Sequence, residues 1–529
     1  MKYIIKKFLF TCIVLLICNY ALKSQNKYWV FFTDKQGVTF DPYTYFDQKA
    51  IERRLQHNIT LYDSSDFPLN EDYVKKLMSY ADSLSQESRW FNAVAVYVCP
   101  EQIENISRLP FVHSVEPITS NCMIASADEA KRNLKIDEDL LKKQLDRMQG
   151  AQFTNNQLNG KGIRIAVFDA GFPSVNTHEA FEHIRAGNRI IKTWDFVKKR
   201  EYVYDYSSHG TMTLSCIAGI YKDIPIGLAT EAEFLLARTE MSAREPFSEE
   251  QNWLAAAEWA DKNGAHIISS SLGYVKERYF PKDMNGKKSL VTRAANMAAS
   301  KGMLVVNSAG NEGTSVWKII GAPADADSVL SIGGYDPYSD YHISFSSYGP
   351  TADKRLKPNV CAFGTAFVAD KASFTTADGT SFSCPLVAGF AACAWQSNRS
   401  LSNMQLFKEL EKSADLYPYF DYAHGYGIPQ ADYFINKGTQ LNEEKFSTEV
   451  NDNVLEVKIN NFIETDILSD ENYKEKLLFY NIQKPDGTLH KYYVISVYSE
   501  KPLTIDLSNI EKGNRINISY EGYFKTYQN

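Results

Sequence analysis

Apolar and polar positions along this chain recur with periods that change from region to region. From Gly162 onward, short apolar runs alternate with amphipathic stretches. Ile163-Arg-Ile-Ala-Val-Phe168 reads as a buried strand, and Phe234 to Ala237, His266 to Ser270, Met303 to Val306 and Val329 to Ile332 supply four more. Trp253 to Lys262 and Leu290 to Ser300 carry helical spacing between them. This alternation predicts an α/β fold: a mostly parallel sheet with helices on both faces, over residues 161–436. Ser383 to Trp395 is apolar nearly all round, so a buried central helix is expected there. Pro385 is expected in its first turn, where a missing amide costs little.

The flanking regions read differently. Over residues 25–120, Tyr28 to Phe32, Phe91 to Val98 and Phe111 to Val115 read as strands. A helix opened by Asn70 carries Tyr73, Val74, Leu77, Met78 and Ala81 at helical spacing, and a short one carries Ile103 and Ile106. Together these predict a ferredoxin-like α+β unit. Residues 121–160 are polar and charged with no strand signal, which predicts a linker or surface helix and a region of processing. After residue 437, Leu455, Val457 and Ile459 alternate with polar residues, and Pro485-Asp-Gly487 marks a turn. A small β-sandwich-like domain over 437–529 is expected.

Composition changes this picture at three points. Lys2, Lys6 and Lys7 precede the apolar run Phe8 to Cys18, with polar residues following at Lys23 and Ser24. That pattern predicts a secretory signal peptide over residues 1–24, and hence an exported protein, extracellular or periplasmic. Ile17 before Cys18 does not fit a lipoprotein signal, and no later segment is apolar for long enough to span a membrane. The net charge of −7 gives no electrostatic case for nucleic-acid binding. Cys99, Cys122, Cys216, Cys361, Cys384 and Cys393 lack paired spacing and are expected as buried free thiols.

Three polar residues stand where strands or loops give way to helices. Asp169 ends the first buried strand, His209 opens a helix in Ser208-His-Gly-Thr211, and Ser381 opens the central helix in Gly379-Thr-Ser-Phe-Ser-Cys-Pro385. Ligands of open α/β sheets bind at the carboxyl ends of strands, which is where Asp169 falls. A serine nucleophile needs a base to take its proton and a carboxylate to orient that base. Asp169, His209 and Ser381 can fill those roles, and Asn311 can donate to an oxyanion together with the Ser381 N–H.

The segments carrying these residues resemble the subtilase family. Asp169-Ala-Gly, His209-Gly-Thr, Ser271-Leu-Gly273, Gly310-Asn-Glu-Gly313, Phe345-Ser-Ser-Tyr-Gly-Pro350, Lys357-Pro-Asn359 and Gly379-Thr-Ser-x-Ser-x-Pro385 occur in the family's order, and Gly425 to Ala431 resembles its closing segment. The resemblance implies a subtilisin-like serine endopeptidase acting through an acyl-enzyme on polypeptide substrates, with residues 25–120 as a propeptide that inhibits and chaperones it. It implies that Ser271, Leu272 and Gly273 pair with an extended substrate backbone, and that Ala309 and Gly310 line the first specificity pocket. No cofactor or catalytic metal is required; structural calcium is known in the family, but no ligand cluster in this sequence locates a site. A monomer is expected.

The sequence departs from the family at Ala170, where Ser or Thr is common, at Met212 and at Cys384, where a thiol-sensitive enzyme is one expectation. Glu312 is a candidate for the rim of a pocket. Two rival readings were weighed: a catalytically silent fold used for binding, and a ligase using the same acyl-enzyme. The intact set of Asp169, His209, Asn311 and Ser381 argues against the first. A zinc site at His178-Glu-Ala-Phe-Glu-His183 fails, because five residues on a helix turn the second His about 140° away from the first.

Overall fold

Seven parallel strands form the central sheet of the computed structural model, which describes residues 26–118, 137–241, 248–276, 278–436, 443–460, 476–497 and 501–529. The expected signal peptide lies outside the described residues. Strands and helices of the first unit are β1 (Asn26–Phe32), α1 (Gln48–Gln56), α2 (Glu71–Met78), β2 (Ser83–Ser88), β3 (Ala93–Val98), α3 (Ile103–Ser107) and β4 (Val112–Ile118). Their antiparallel sheet has the order β2-β3-β1-β4, the ferredoxin-like arrangement. Period-2 alternation divides its residues between two cores. Val30, Phe32, Val94 and Val96 pack on the unit's own helices, whereas Trp29, Phe31, Ala93 and Ala95 face the central domain. The sequence reading missed β2, whose Ser-Leu-Ser-Gln-Glu-Ser offers no apolar alternation because it is an edge strand, and it missed α1.

From residue 138 on, the stretch expected as a linker or surface helix is helical. Helices α4 (Glu138–Asp146) and α5 (Ala151–Asn155) bury Leu140, Leu141, Leu145, Met148 and Phe153 in the main core of the central domain. Their charges lie on the opposite face, which is why the stretch read as polar.

The central domain continues with β5 (Arg164–Asp169), β6 (Ile190–Asp195), α6 (His209–Ala218), β7 (Glu233–Arg238), α7 (Ser248–Lys262), β8 (Ile267–Ser270), α8 (Leu290–Ser300), β9 (Leu304–Ser308), β10 (Val329–Tyr335), β11 (Val360–Phe363) and α9 (Thr380–Ser397). The sheet order is β11-β10-β9-β8-β5-β7-β6. Ile165 and Val167 of β5 turn to the face covered by α6 and α9, while Ala166 and Phe168 turn to that covered by α7 and α8. Ser270 pairs with Phe168 on one side and Asn307 on the other, so Asp169, Ser271 and Ser308 come level at one edge of the sheet.

The C-terminal domain is two facing antiparallel sheets, of three and four strands, around Phe446, Leu455, Val457, Leu478, Ile516 and Ile518. Its outer face is held to the central domain by Phe479 against Leu416 and Tyr419, and by Asn481 Nδ2 donating to the Phe420 carbonyl at 2.7 Å. Among the described residues, no helix is long and apolar enough to cross a membrane. Cys99, Cys216, Cys361, Cys384 and Cys393 are free and buried; Cys122 lies outside the described residues.

Candidate active site

Asp169 ends β5 with its side chain fully buried. Its Oδ1 accepts the Ala170 N–H at 2.7 Å and lies 2.8 Å from His209 Nδ1, and its Oδ2 accepts the Thr213 hydroxyl at 3.0 Å. A carboxylate has no proton to give, so Nδ1 carries the hydrogen and the lone pair of neutral His209 resides on Nε2. Thr213 lies one turn along α6 from His209 and on the same face, a spacing the sequence reading passed over.

Local packing sets the position of His209. It is the first residue of α6, and its N–H donates to Ser207 Oγ at 3.2 Å. A Cβ on Gly210 would lie 2.2 Å from the Gly171 carbonyl oxygen, so only glycine lets the helix start this close to the strand end. Helices α6 and α9 pack together, and the ring of Phe382, next to Ser381, lies 5.8 Å from the His209 ring.

Ser381 is the second residue of α9. The helix is preceded by Gly379 at φ 150°, ψ 146°, a conformation reserved for glycine. Pro385 is therefore the sixth residue of the helix, not in its first turn as expected. A proline there leaves the Ser381 carbonyl without its usual i+4 amide donor. The Ser271 hydroxyl takes that place, donating to the Ser381 carbonyl at 2.8 Å. In return, Ser381 Oγ donates to the Ser271 carbonyl at 3.4 Å.

Asn311 is oriented by Thr380, whose backbone N–H and hydroxyl both lie 2.9 Å from Asn311 Oδ1. A backbone N–H can only donate, so the amide oxygen must face Thr380 and the NH2 group the other way. A Cβ on Gly379 would lie 3.6 Å from both Asn311 Nδ2 and Ser381 N. Two N–H donors thus border one space beside the serine.

The remaining sequence candidates surround this point. Leu272 is buried and its carbonyl accepts from Asn307 Nδ2 at 2.9 Å, while Gly273 is exposed with open space beside it. Tyr274 then exchanges backbone bonds of 2.9 and 3.1 Å with Ala322. The Ala309 methyl joins Ile320 and Ala324 in a small apolar cluster, and Gly310 is half-buried beside it. Glu312 holds the Ser315 hydroxyl.

The departures have structural explanations. Ala170 contributes its backbone, its carbonyl accepting from Arg238 Nε at 3.1 Å, and Met212 is buried in the core behind α6. The expectation of thiol sensitivity at Cys384 is corrected: the side chain is fully buried, and burial pushes its thiol up to about 12, so little thiolate exists to react. His178 Nδ1 caps a turn by accepting the Ala180 N–H at 3.1 Å, and its Nε2 meets the Ser373 carbonyl. Among the described residues, no group of three or more His, Cys, Asp or Glu side chains is gathered as a metal would need.

Residues 160–427 match the family model described as the subtilase family, and residues 27–134 match that of the Peptidase S8 propeptide domain, Bacteroidota. The chain is 30% identical over 272 residues to Subtilisin BL of Lederbergia lenta, covering 51% of this chain and 90% of that protein. It is 30% identical over 271 residues to M-protease of Shouchella clausii (strain KSM-K16), covering 51% of this chain and 63% of that one. Among solved structures, MycP1 from Mycobacterium smegmatis aligns with a TM-score of 0.44 at 21% identity, over 54% of this chain and 82% of its own.

Proposed function

This chain belongs to the subtilase family of serine endopeptidases, carries the family's N-terminal propeptide, and from that membership we propose that Asp169, His209 and Ser381 are its catalytic triad. The observation that carries the proposal is the 2.8 Å contact between His209 Nδ1 and a fully buried Asp169 carboxylate.

Catalysis then runs as acyl transfer without a cofactor. Ser381 Oγ attacks the scissile carbonyl carbon as its proton passes to His209 Nε2, and Asp169 stabilises the imidazolium that results. The carbonyl oxygen becomes an oxyanion and accepts from Ser381 N–H and Asn311 Nδ2–H. As the C–N bond breaks, the proton on Nε2 goes to the leaving amine. A water molecule repeats the sequence on the ester and returns the proton to Ser381. Ser271 acts as a positioning residue by holding the Ser381 carbonyl that Pro385 leaves without a donor.

Ser271, Leu272 and Gly273 would pair with the substrate backbone, a role favoured by the exposed Gly273, and Ala309 and Gly310 would border an apolar first pocket. The precursor is exported, and its chain is cut between Ile118 and Asp137. Within the expected processing region, the part from residue 138 on is set aside, because α4 and α5 are buried in the enzyme's own core. The cut region itself lies outside the described residues. The enzyme is proposed to act as a monomer outside the cytoplasm.

The proposal is tested by treating the purified enzyme, freed of its propeptide, with a fluorophosphonate probe and mapping the adduct by mass spectrometry. Label on the peptide containing Ser381 is expected. An unlabelled protein, or label on another serine, would refute the assignment. Asn311→Ala is expected to lower kcat by about 10²–10³-fold with little change in KM, since the lost donor serves the transition state alone. Steady-state kinetics on a peptide substrate checks this, and a change confined to KM would remove Asn311 from the oxyanion site.

A further inference from the structure

Residues 33–69 add a loop and helix α1 to the ferredoxin-like unit, and this addition runs away from the cleft. It lies beneath the seven-stranded sheet, at the amino ends of β5, β8 and β9. Asp47 N–H donates to the Lys262 carbonyl at 2.8 Å, and the Asp47 carboxylate lies 3.1 Å from Arg164. The His57 ring stacks on Trp395 near the far end of α9.

From α1, Arg53 and Arg54 enter a polar socket of the enzyme. Arg53 donates to the Ala265 carbonyl, to the Lys301 carbonyl at 3.2 Å and to Asp261. Arg54 spans two carboxylates, Asp66 of its own segment at 2.9 Å and Asp261 of the enzyme at 2.7 Å. Lys301 closes the set from the enzyme side, its Nζ 2.9 Å from Asp63 and 3.0 Å from Asp66. Arg53, Arg54, Asp66, Asp261 and Lys301 are each no more than 2% exposed.

Each buried charge here has an opposite partner, and Arg53–Asp261, Arg54–Asp261 and Lys301–Asp66 cross between the two units. Such a network contributes modestly against an apolar replacement, but removing one member leaves a charge stranded out of water. The socket also lies at the opposite end of the strands from Asp169 and Ser271, so it is untouched by whatever occupies the cleft. A separate contact, Glu258 accepting from Ser88 Oγ at 2.6 Å and Arg89 N at 3.1 Å, holds the unit's sheet against α7.

We infer that residues 41–66 form a second anchor, remote from the cleft, which holds the propeptide on the enzyme as a noncovalent partner after the connecting chain is cut. The inference rests on the reading of residues 26–118 as the propeptide, and its test does not depend on the catalytic assignment.

The test uses the full Ser381→Ala chain, cut at Lys131–Arg132 with trypsin and checked by mass, with dissociation of the two pieces followed by size exclusion and surface binding. The pieces are expected to co-elute. Arg53→Ala is expected to weaken their association by about 100-fold or more. Should that variant fail to fold, Arg54→Lys keeps the charge but cannot span Asp66 and Asp261, and a loss of about tenfold is expected. Pieces that separate at once in the parent chain, or an Arg54→Lys complex as tight as the parent, would overturn the anchor.

Discussion

Ser381→Ala is expected to lower kcat on a peptide substrate by about a millionfold while leaving the fold intact. The side chain removed makes one long bond, 3.4 Å to the Ser271 carbonyl, so its loss strands no buried group. The residual rate should still exceed that of the uncatalysed reaction by about 10³-fold, because Ser381 N–H and Asn311 Nδ2 remain in place. The variant should also accumulate as uncut precursor, whereas N-terminal sequencing of the active parent should begin between residues 119 and 137. Circular dichroism and thermal unfolding check the fold. A variant that keeps a tenth of the parental rate, or that matures normally without added protease, would be incompatible with Ser381 as the nucleophile.

Asp169→Asn should cost about 10⁴-fold in kcat/KM near neutral pH, the order of loss seen when a triad carboxylate is removed. The local bonds define what the substitution changes. Oδ1 accepts from the Ala170 N–H, which can only donate, so an asparagine must keep its oxygen on that side. His209 Nδ1–H faces the same oxygen and retains its partner, and the amide nitrogen turns to Thr213, whose hydroxyl has the Gly210 carbonyl as an alternative acceptor at 3.1 Å. Tautomer and geometry survive, and what is lost is the negative charge beside the imidazolium. The expected signature is a fall in kcat with KM nearly unchanged, read from full Michaelis–Menten curves. A loss below tenfold would mean that charge stabilisation at Asp169 contributes little.

The reach of the sequence follows from the range of each physical signal. Buried strands such as Ile163 to Phe168 were legible because both sheet faces are covered, which makes the run continuously apolar. Helix α2 was legible from its spacing and from Asn70, whose side chain accepts the Asp72 and Tyr73 N–H groups. Strand β2 was not, since an edge strand facing water leaves no apolar alternation. The stretch of α4 and α5 reads only as linker or surface helix, because the charged face outweighs the apolar one in composition, although Leu141, Leu145 and Met148 carry the spacing. Pro385 was placed one turn too early because the helix start depends on the Gly379 backbone and not on where apolarity begins.

The sequence by itself supplied the proposal of Asp169, His209, Asn311 and Ser381 in that order, three of them at a strand end or helix start that local pattern encodes and Asn311 in the loop after β9. The tertiary structure decided which groups serve them: the Thr213 hydroxyl on Asp169, the Ser271 hydroxyl on the Ser381 carbonyl, the Thr380 amide that turns Asn311, and the buried charges beneath the sheet. Those partners lie from a few residues to more than two hundred residues apart. No short-range periodicity encodes them, because a contact at that separation exists only once neighbouring strands and helices have packed in one register.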